Sequence, residues 1–202
     1  MAYSAGSLPE GFNLVVATHI SLCDECRARM VEFDTVGGAV LDDEAPVAVS
    51  DGSFAATLAL ISKGDIDVDT PKARSGGIFP SPLQDYVGGD LDSVKWRKVG
   101  GGVRQAILKT DKSASVRLLH IPAGVAVPDH GHRGTELTLV LQGAFRDETD
   151  RFGAGDIEVA TEDLEHQPVA EMGEDCICLA ATDAPLRFNR LIPRIAQPFL
   201  RI

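Results

Sequence analysis

Hydrophobic positions change their period once along the chain. Phe12, Val15, Val16, His19 and Ile20 recur at spacings of 3, 1, 3 and 1, which lays them along one face of a helix. Ser7-Leu8-Pro9-Glu10 ahead of them reads as a capping box with proline in the first turn. A second helical run extends from Glu25 to about Val36, with Met30, Phe33 and Val36 at intervals of three, and Gly37-Gly38 is expected to end it. Ser50 is placed to cap a third helix through Phe54, Leu58 and Ile61. Farther on the period drops to two. Val103–Leu108, Ser115–Ile121, Glu136–Leu141, Asp156–Ala160, Cys176–Ala181 and Arg187–Phe188 are short, β-rich or alternating, with Gly and Asp between them. Strands of that length and spacing predict an antiparallel barrel or jelly roll. Between the two regimes, Lys63–Ser81 mixes Gly64, Pro71, Gly76, Gly77 and Pro80 with charge and has no periodicity, as a linker does. The expected organisation is an α+β multidomain chain: an all-α unit over 1–62, a linker over 63–81 and an all-β unit over 82–202.

Composition narrows the function. Of 202 residues, 44% are apolar, enough for a core. Thirty acids against 19 bases give a net charge of −11, which argues against direct contact with nucleic acid and leaves room for a basic protein partner. Residues 1–62 hold nine acids and two bases, so the helical unit carries most of the excess. The sequence has no run of 18 apolar residues and no basic segment leading into an apolar one at its start, which predicts no membrane span, no export signal and a cytoplasmic location. The four cysteines fall in two tight pairs, Cys23/Cys26 and Cys176/Cys178, a pattern suited to metal or redox chemistry rather than to a disulfide framework.

His130-Gly131-His132 places two imidazoles at i and i+2, on one face of a strand, and Glu136 follows with the same parity. His166 comes after the turn Phe152-Gly153-Ala154-Gly155-Asp156. A lone histidine is ordinarily a satisfied core or surface residue, and His120 is read that way. Three of the chain's five histidines with one glutamate inside 37 residues instead suggest a divalent transition-metal site. Gly124-x5-His130-x-His132-x3-Glu136-x6-Gly143 fits the first motif of the cupin family without a gap. The second motif is looser, with Ala154-Gly155-Asp156 where Pro-x-Gly is usual. The resemblance to cupins implies a small double-stranded β-helix (jelly-roll) barrel whose metal is held by His130, His132, Glu136 and His166. It does not fix a function, since cupins include oxidases, isomerases and non-enzymes.

His19-x3-Cys23-x2-Cys26 is a second cluster. On a continuous helix the three side chains share a face; if the helix breaks at Ser21, Cys23 and Cys26 form a knuckle. Either arrangement offers soft ligands for zinc, whose binding would supply on the order of 10 kcal/mol of folding energy to a small helical unit. A metal-free CxxC redox pair is the competing reading. A closed zinc site takes four ligands, and no other His or Cys precedes His120.

An acidic helical unit with His-x3-Cys-x2-Cys followed by a cupin is similar to the ChrR-type zinc-binding anti-sigma factors. The likeness runs over essentially the whole chain, through LVVATHISLCDECRARM and VPDHGHRGTELTLVLQGAFRDETDRFGAGDIE. It implies two zinc sites, one at His19, Cys23 and Cys26 and one in the cupin. It implies N-terminal helices that sequester an alternative, extracytoplasmic-function sigma factor of RNA polymerase. It also implies a cupin sensor that releases the sigma factor on oxidative, singlet-oxygen stress. The family's fourth N-terminal ligand is a histidine upstream of the first helix. Here the sequence starts at Met1-Ala2-Tyr3, which leaves either a shortened reading or an incomplete site.

The competing function is a metal-dependent cupin enzyme, a dioxygenase or decarboxylase of a small acid or diketone. No independent general base stands near the motif, and no Ser/His/Asp set, Gly-x-Ser-x-Gly or phosphate loop is present. A structural zinc protein with an unrelated partner is a third reading. Cys176-x-Cys178 is either a pair of small buried residues or a redox pair, and a strand spacing of roughly 7 Å between i and i+2 argues against a disulfide between them.

Overall fold

A computed structural model describes residues 1–64 and 76–188; most of the expected linker, 65–75, and the tail from 189 lie outside the described residues. Four helices come first: α1 (Glu10–Ile20), α2 (Asp24–Asp42), α3 (Ser53–Lys63) and α4 (Ser81–Val87). Twelve strands follow: β1 (Arg97–Gly100), β2 (Val103–Leu108), β3 (Ser115–Ile121), β4 (His130–Gly131), β5 (Glu136–Gln142), β6 (Ala144–Arg146), β7 (Arg151–Gly153), β8 (Ile157–Ala160), β9 (Glu165–His166), β10 (Val169–Ala170), β11 (Cys176–Thr182) and β12 (Arg187–Phe188). The fold is the expected α+β chain, helical first and a jelly-roll barrel second.

One barrel wall is an antiparallel sheet in the order β1-β2-β3-β11-β5-β8, faced by two small sheets, β10-β6-β7 and β12-β4-β9. Alternation along the strands sends residues to two separate cores. Val103, Ile121, Val140, Cys176 and Cys178 point inward to meet Phe145 and Ala170 of the opposite wall. Val116, Leu118, Leu139, Leu141, Ile177 and Leu179 point outward, where Phe12, Leu14 and Val15 of α1 and Phe79 and Leu83 at α4 cover them. All seven residues of β11 are buried, because the barrel closes one face and the helices close the other. Phe79, within the 63–81 stretch, belongs to this outer core.

The approach of α1 to the sheet is close. A Cβ added to Gly11 would lie 2.7 Å from Val116 Cγ2. Glu10, at the start of the same helix, accepts from the Asp111 backbone N–H at 2.6 Å and the Tyr86 hydroxyl at 2.8 Å.

Three local expectations are corrected. The capping box does not form: Ser7 Oγ donates to the Ala2 carbonyl, Pro9 is the N-cap, and no side chain caps α1. Gly37-Gly38 does not end α2, which runs on to Asp42. Glycine permits a stop only where it takes a left-handed cap, and neither residue has positive φ. Ser50 does not cap α3; Gly52 holds that position.

Helices α2 and α3 bury no residue. Val36, Val40 and Leu41 on α2, and Phe54, Leu60 and Ile61 on α3, are exposed. No helix among the described residues is long and apolar enough to cross a membrane.

Candidate metal centres

Within the barrel, β4 pairs with β9 so that His130 stands opposite His166, and His132 follows β4 directly. All three imidazoles are buried, and their donor nitrogens lie within 4.8 Å of one another. For His130 and His166 the role follows from what the other nitrogen does, whereas His132 Nδ1 is buried with no hydrogen-bond partner among the described residues. His130 Nδ1 is 2.8 Å from the Pro128 carbonyl, to which it donates, leaving Nε2 as the free lone pair. His166 Nδ1 donates to Asp147 Oδ2 at 2.6 Å, with Glu158 Oε1 at 3.2 Å. That leaves His166 Nε2 facing His132 Nε2 at 3.3 Å. Two nitrogens bound tetrahedrally to one ion at about 2.0–2.1 Å stand roughly 3.3–3.4 Å apart, so the donor set fits a single small cation.

Burial drives the charge state. It lowers the His130 pKa and brings His132 down to about 4, partly offset by Glu136, so both rings are neutral and available as ligands. Burial pulls His166 the same way, but hydrogen bonds to Glu158 and Asp147 outweigh it and raise the ring to about 9. Burial pushes Asp147 up, yet bonds from the Thr149 hydroxyl, the Asp150 N–H and His166 hold it well below the usual carboxylate range.

Glu136 opens β5 and lines the same cavity as His130 and His166, with its Oε1 accepting from Thr138 Oγ1 at 3.2 Å. It is not among the groups drawn together within 4.8 Å. Asp147 and Glu158, unforeseen in the sequence, are, in a second grouping around His166. Glu158 left one trace: it sits at an inward-facing position of β8, where Ala160 is also buried. Asp147 lies on the loop after β6 and left none.

The motif glycines have a conformational reason. Gly124 and Gly143 adopt φ +75° and +68°, and a Cβ on Gly143 would come within 2.7 Å of the Asp175 carbonyl oxygen. His120 is a buried residue of β3, edge-on to Trp96 and 3.2 Å from Asp175 Oδ2.

The N-terminal cluster forms at a break between helices. Helix α1 ends at Ile20, and Cys23 is extended (φ −110°, ψ 109°) as the N-cap of α2. The Leu22 and Cys23 N–H groups both donate to the His19 carbonyl at 2.9 Å. This selects the knuckle over the continuous helix, with Cys26 in the first turn of α2. His19, Cys23 and Cys26 bring their donor atoms within 4.8 Å. Burial, then the neighbouring Cys23 thiol, raises the Cys26 pKa. His19 Nδ1 donates to the Gly155 carbonyl of the barrel at 3.0 Å, which leaves the Nε2 lone pair as the one available to an ion.

Cys176 and Cys178 are buried free thiols with sulfurs 3.4 Å apart. The 7 Å strand spacing describes their backbone positions; the side chains lean toward each other beside a register shift between Ile177 and Cys178.

Comparison with known proteins decides the family. The ChrR cupin-like domain matches residues 84–185. The anti-sigma-E factor ChrR of Cereibacter sphaeroides is 64% identical over 201 residues, spanning 100% of this chain and 94% of that one. The chain belongs to the ChrR family of anti-sigma factors. It is a regulator by kinship, and the enzyme reading gives way to that identity. A crystal structure of Rhodobacter sphaeroides SigE in complex with the anti-sigma ChrR matches with a TM-score of 0.78 and 64% identity, covering 90% of this chain and 93% of that one. An RmlC-like cupin from Ralstonia eutropha aligns at 24% identity and a TM-score of 0.45, covering 51% of this chain and 71% of the other.

Proposed function

We propose that this ChrR-family chain is a cytoplasmic anti-sigma factor that sequesters an extracytoplasmic-function sigma factor through α2 and α3, and that its cupin domain senses oxidative stress, singlet oxygen above all. The observation that carries the sigma-binding part is an imbalance. Helix α1 is built into the outer core, whereas α2 and α3 bury nothing and expose a series of apolar side chains. Amphipathic helices of that kind dock into apolar grooves. The excess acid of residues 1–62 would speed association with a basic partner. The complex of the relative with SigE supports a sigma factor as that partner.

Zinc is the ion we assign to both sites. His19, Cys23 and Cys26 supply nitrogen and sulfur donors at the α1–α2 break, where an ion would fix the angle between the helix anchored to the barrel and the helix offered to the sigma factor. His130, His132 and His166, with Glu136 beside them, would hold the second. When bound, zinc supplies fixed geometry rather than turnover. The sensing part rests on proximity: the barrel touches the N-terminal cluster through Gly155 and His19. Its buried imidazoles and thiols are oxidisable groups whose loss would weaken both packing and ligation.

The test is co-purification of the sigma factor with the full chain and with His19→Ala, together with metal analysis of each. Capture that falls with the N-terminal zinc supports the reading. Equal capture by both proteins removes zinc from it, and failure of the wild-type chain to retain any sigma factor removes the reading itself.

A further inference from the structure

The barrel encloses a cavity of about 320 Å³, walled by Val103, Leu119, Ile121, Val127, Phe145 and Phe188. That volume sits at the lower end of small-molecule sites, about 300–1,000 Å³. One inward-facing rung of the large sheet crosses it, with Arg117, Ala180, Thr138 and Glu158 in register on β3, β11, β5 and β8. Arg117 is 5% exposed. Its Nη2 donates to Ser115 Oγ at 2.9 Å, while Nη1 is buried with no hydrogen-bond partner among the described residues. A guanidinium remains charged even when desolvated, and an uncompensated charge in an apolar interior is strongly unfavourable. Glu136 acts on it through space while accepting from Thr138 Oγ1, and Glu158 lies 3.2 Å from His166 Nδ1. Neither sits on Nη1.

We propose that this cavity is a binding site for a small monocarboxylic acid, its carboxylate on Arg117 and its hydrocarbon chain along the apolar wall. The unpartnered Nη1 is a charged donor that matches one carboxylate. A phosphate dianion would need more donors than the rung provides, since Thr138 already donates to Glu136. The apolar walls disfavour a polyol or a second charge. The proposal stands apart from sigma binding and does not rest on it.

The experiment is calorimetric titration of the full, zinc-loaded chain with hexanoate and with hexan-1-ol. The expected result is saturable binding of one hexanoate, at least tenfold tighter than the alcohol. Arg117→Gln should abolish that preference. Leu119→Trp, which fills the cavity and keeps the guanidinium, should abolish hexanoate binding, and it keeps the test decisive if Arg117→Gln fails to fold. No saturable hexanoate binding, equal affinity for acid and alcohol, or full binding by Leu119→Trp overturns the proposal. So does a preference for the acid that survives Arg117→Gln but disappears on chelation, since that outcome puts the carboxylate on the metal rather than on Arg117.

Discussion

The Nδ1 of His19 lies 3.0 Å from the carbonyl oxygen of Gly155, so a candidate ligand of the helical cluster is oriented by the turn between β7 and β8 of the barrel. The two candidate metal centres are thereby joined by one hydrogen bond and a short stretch of β-structure: Gly155 leads into β8, which carries Glu158, the carboxylate beside His166. Groups that orient a metal-bound imidazole through its second nitrogen commonly set metal affinity within a factor of 10–100.

Gly155 itself offers a test of that link. It holds φ +94° with open space where a Cβ would stand, so a larger residue fits but strains the backbone that presents the carbonyl. Gly155→Val is expected to lower zinc affinity at His19, Cys23 and Cys26 by about tenfold and to leave the three-histidine site unchanged, as read by chelator competition at each site. Unaltered affinity at the N-terminal site would show that the hydrogen bond does not orient the ring.

Asp147→Asn separates charge from shape. Asp147 Oδ1 accepts from the Thr149 and Asp150 N–H groups and keeps the turn, while Oδ2 receives His166 Nδ1. An amide nitrogen at the Oδ2 position would present a donor to a donor. His166 would then shift its proton to Nε2, the atom facing His132. Barrel zinc affinity should fall 10–100-fold with the fold intact, measured by metal competition alongside circular dichroism. Retained affinity would mean that His166 does not ligate through Nε2.

Much of this was legible in the sequence, because it is local. Period-two alternation marks β2, β3, β5, β8 and β11, and the motif spacing marks His130, His132, Glu136 and His166, of which the three histidines come within 4.8 Å of one another. What stayed hidden depends on tertiary placement. Arg117 looks like any charged strand residue until its inward parity and the barrel's closure bury it. Asp147 becomes a partner of His166 only because the β6–β7 hairpin brings it within 2.6 Å of a ring nineteen residues later. Gly37-Gly38 misled because glycine lowers helix propensity by about 1 kcal/mol each without forcing a stop. The sulfur separation of Cys176 and Cys178 is set by side-chain rotation, which residue spacing does not encode.

The exposed faces of α2 and α3 predict a dissociation between stability and binding. Val36, Phe54 and Leu60 are 62%, 74% and 71% exposed. Their replacement by serine should move stability by no more than about 0.5 kcal/mol each. If those side chains seat in the sigma factor, the triple variant should lose at least about tenfold in affinity, the loss of a single anchor worth more than 1 kcal/mol. Thermal melting and sigma capture, run on the same preparations, check both halves. Full capture by the triple variant would place the sigma contact elsewhere.

Gly11 predicts the opposite behaviour, a stability effect without a surface change. Replacing a helical glycine by alanine ordinarily stabilises by roughly 0.5–1 kcal/mol. Here the new methyl would stand 2.7 Å from Val116 Cγ2 and 3.1 Å from Ala114 Cβ. Val116 is fully buried on β3, and its branched side chain has little rotational freedom in which to retreat. Helix α1 would have to lift, yet Glu10, one residue earlier, is tied to the Asp111 backbone and to Tyr86. Overpacking at such a contact costs about 1–3 kcal/mol, more than the propensity gain. Gly11→Ala is therefore expected to destabilise the chain in urea unfolding, and Gly11→Ala with Val116→Ala to recover part of the loss because the second change makes room for the first methyl. Stabilisation by Gly11→Ala alone would mean that α1 does not sit this close to the sheet.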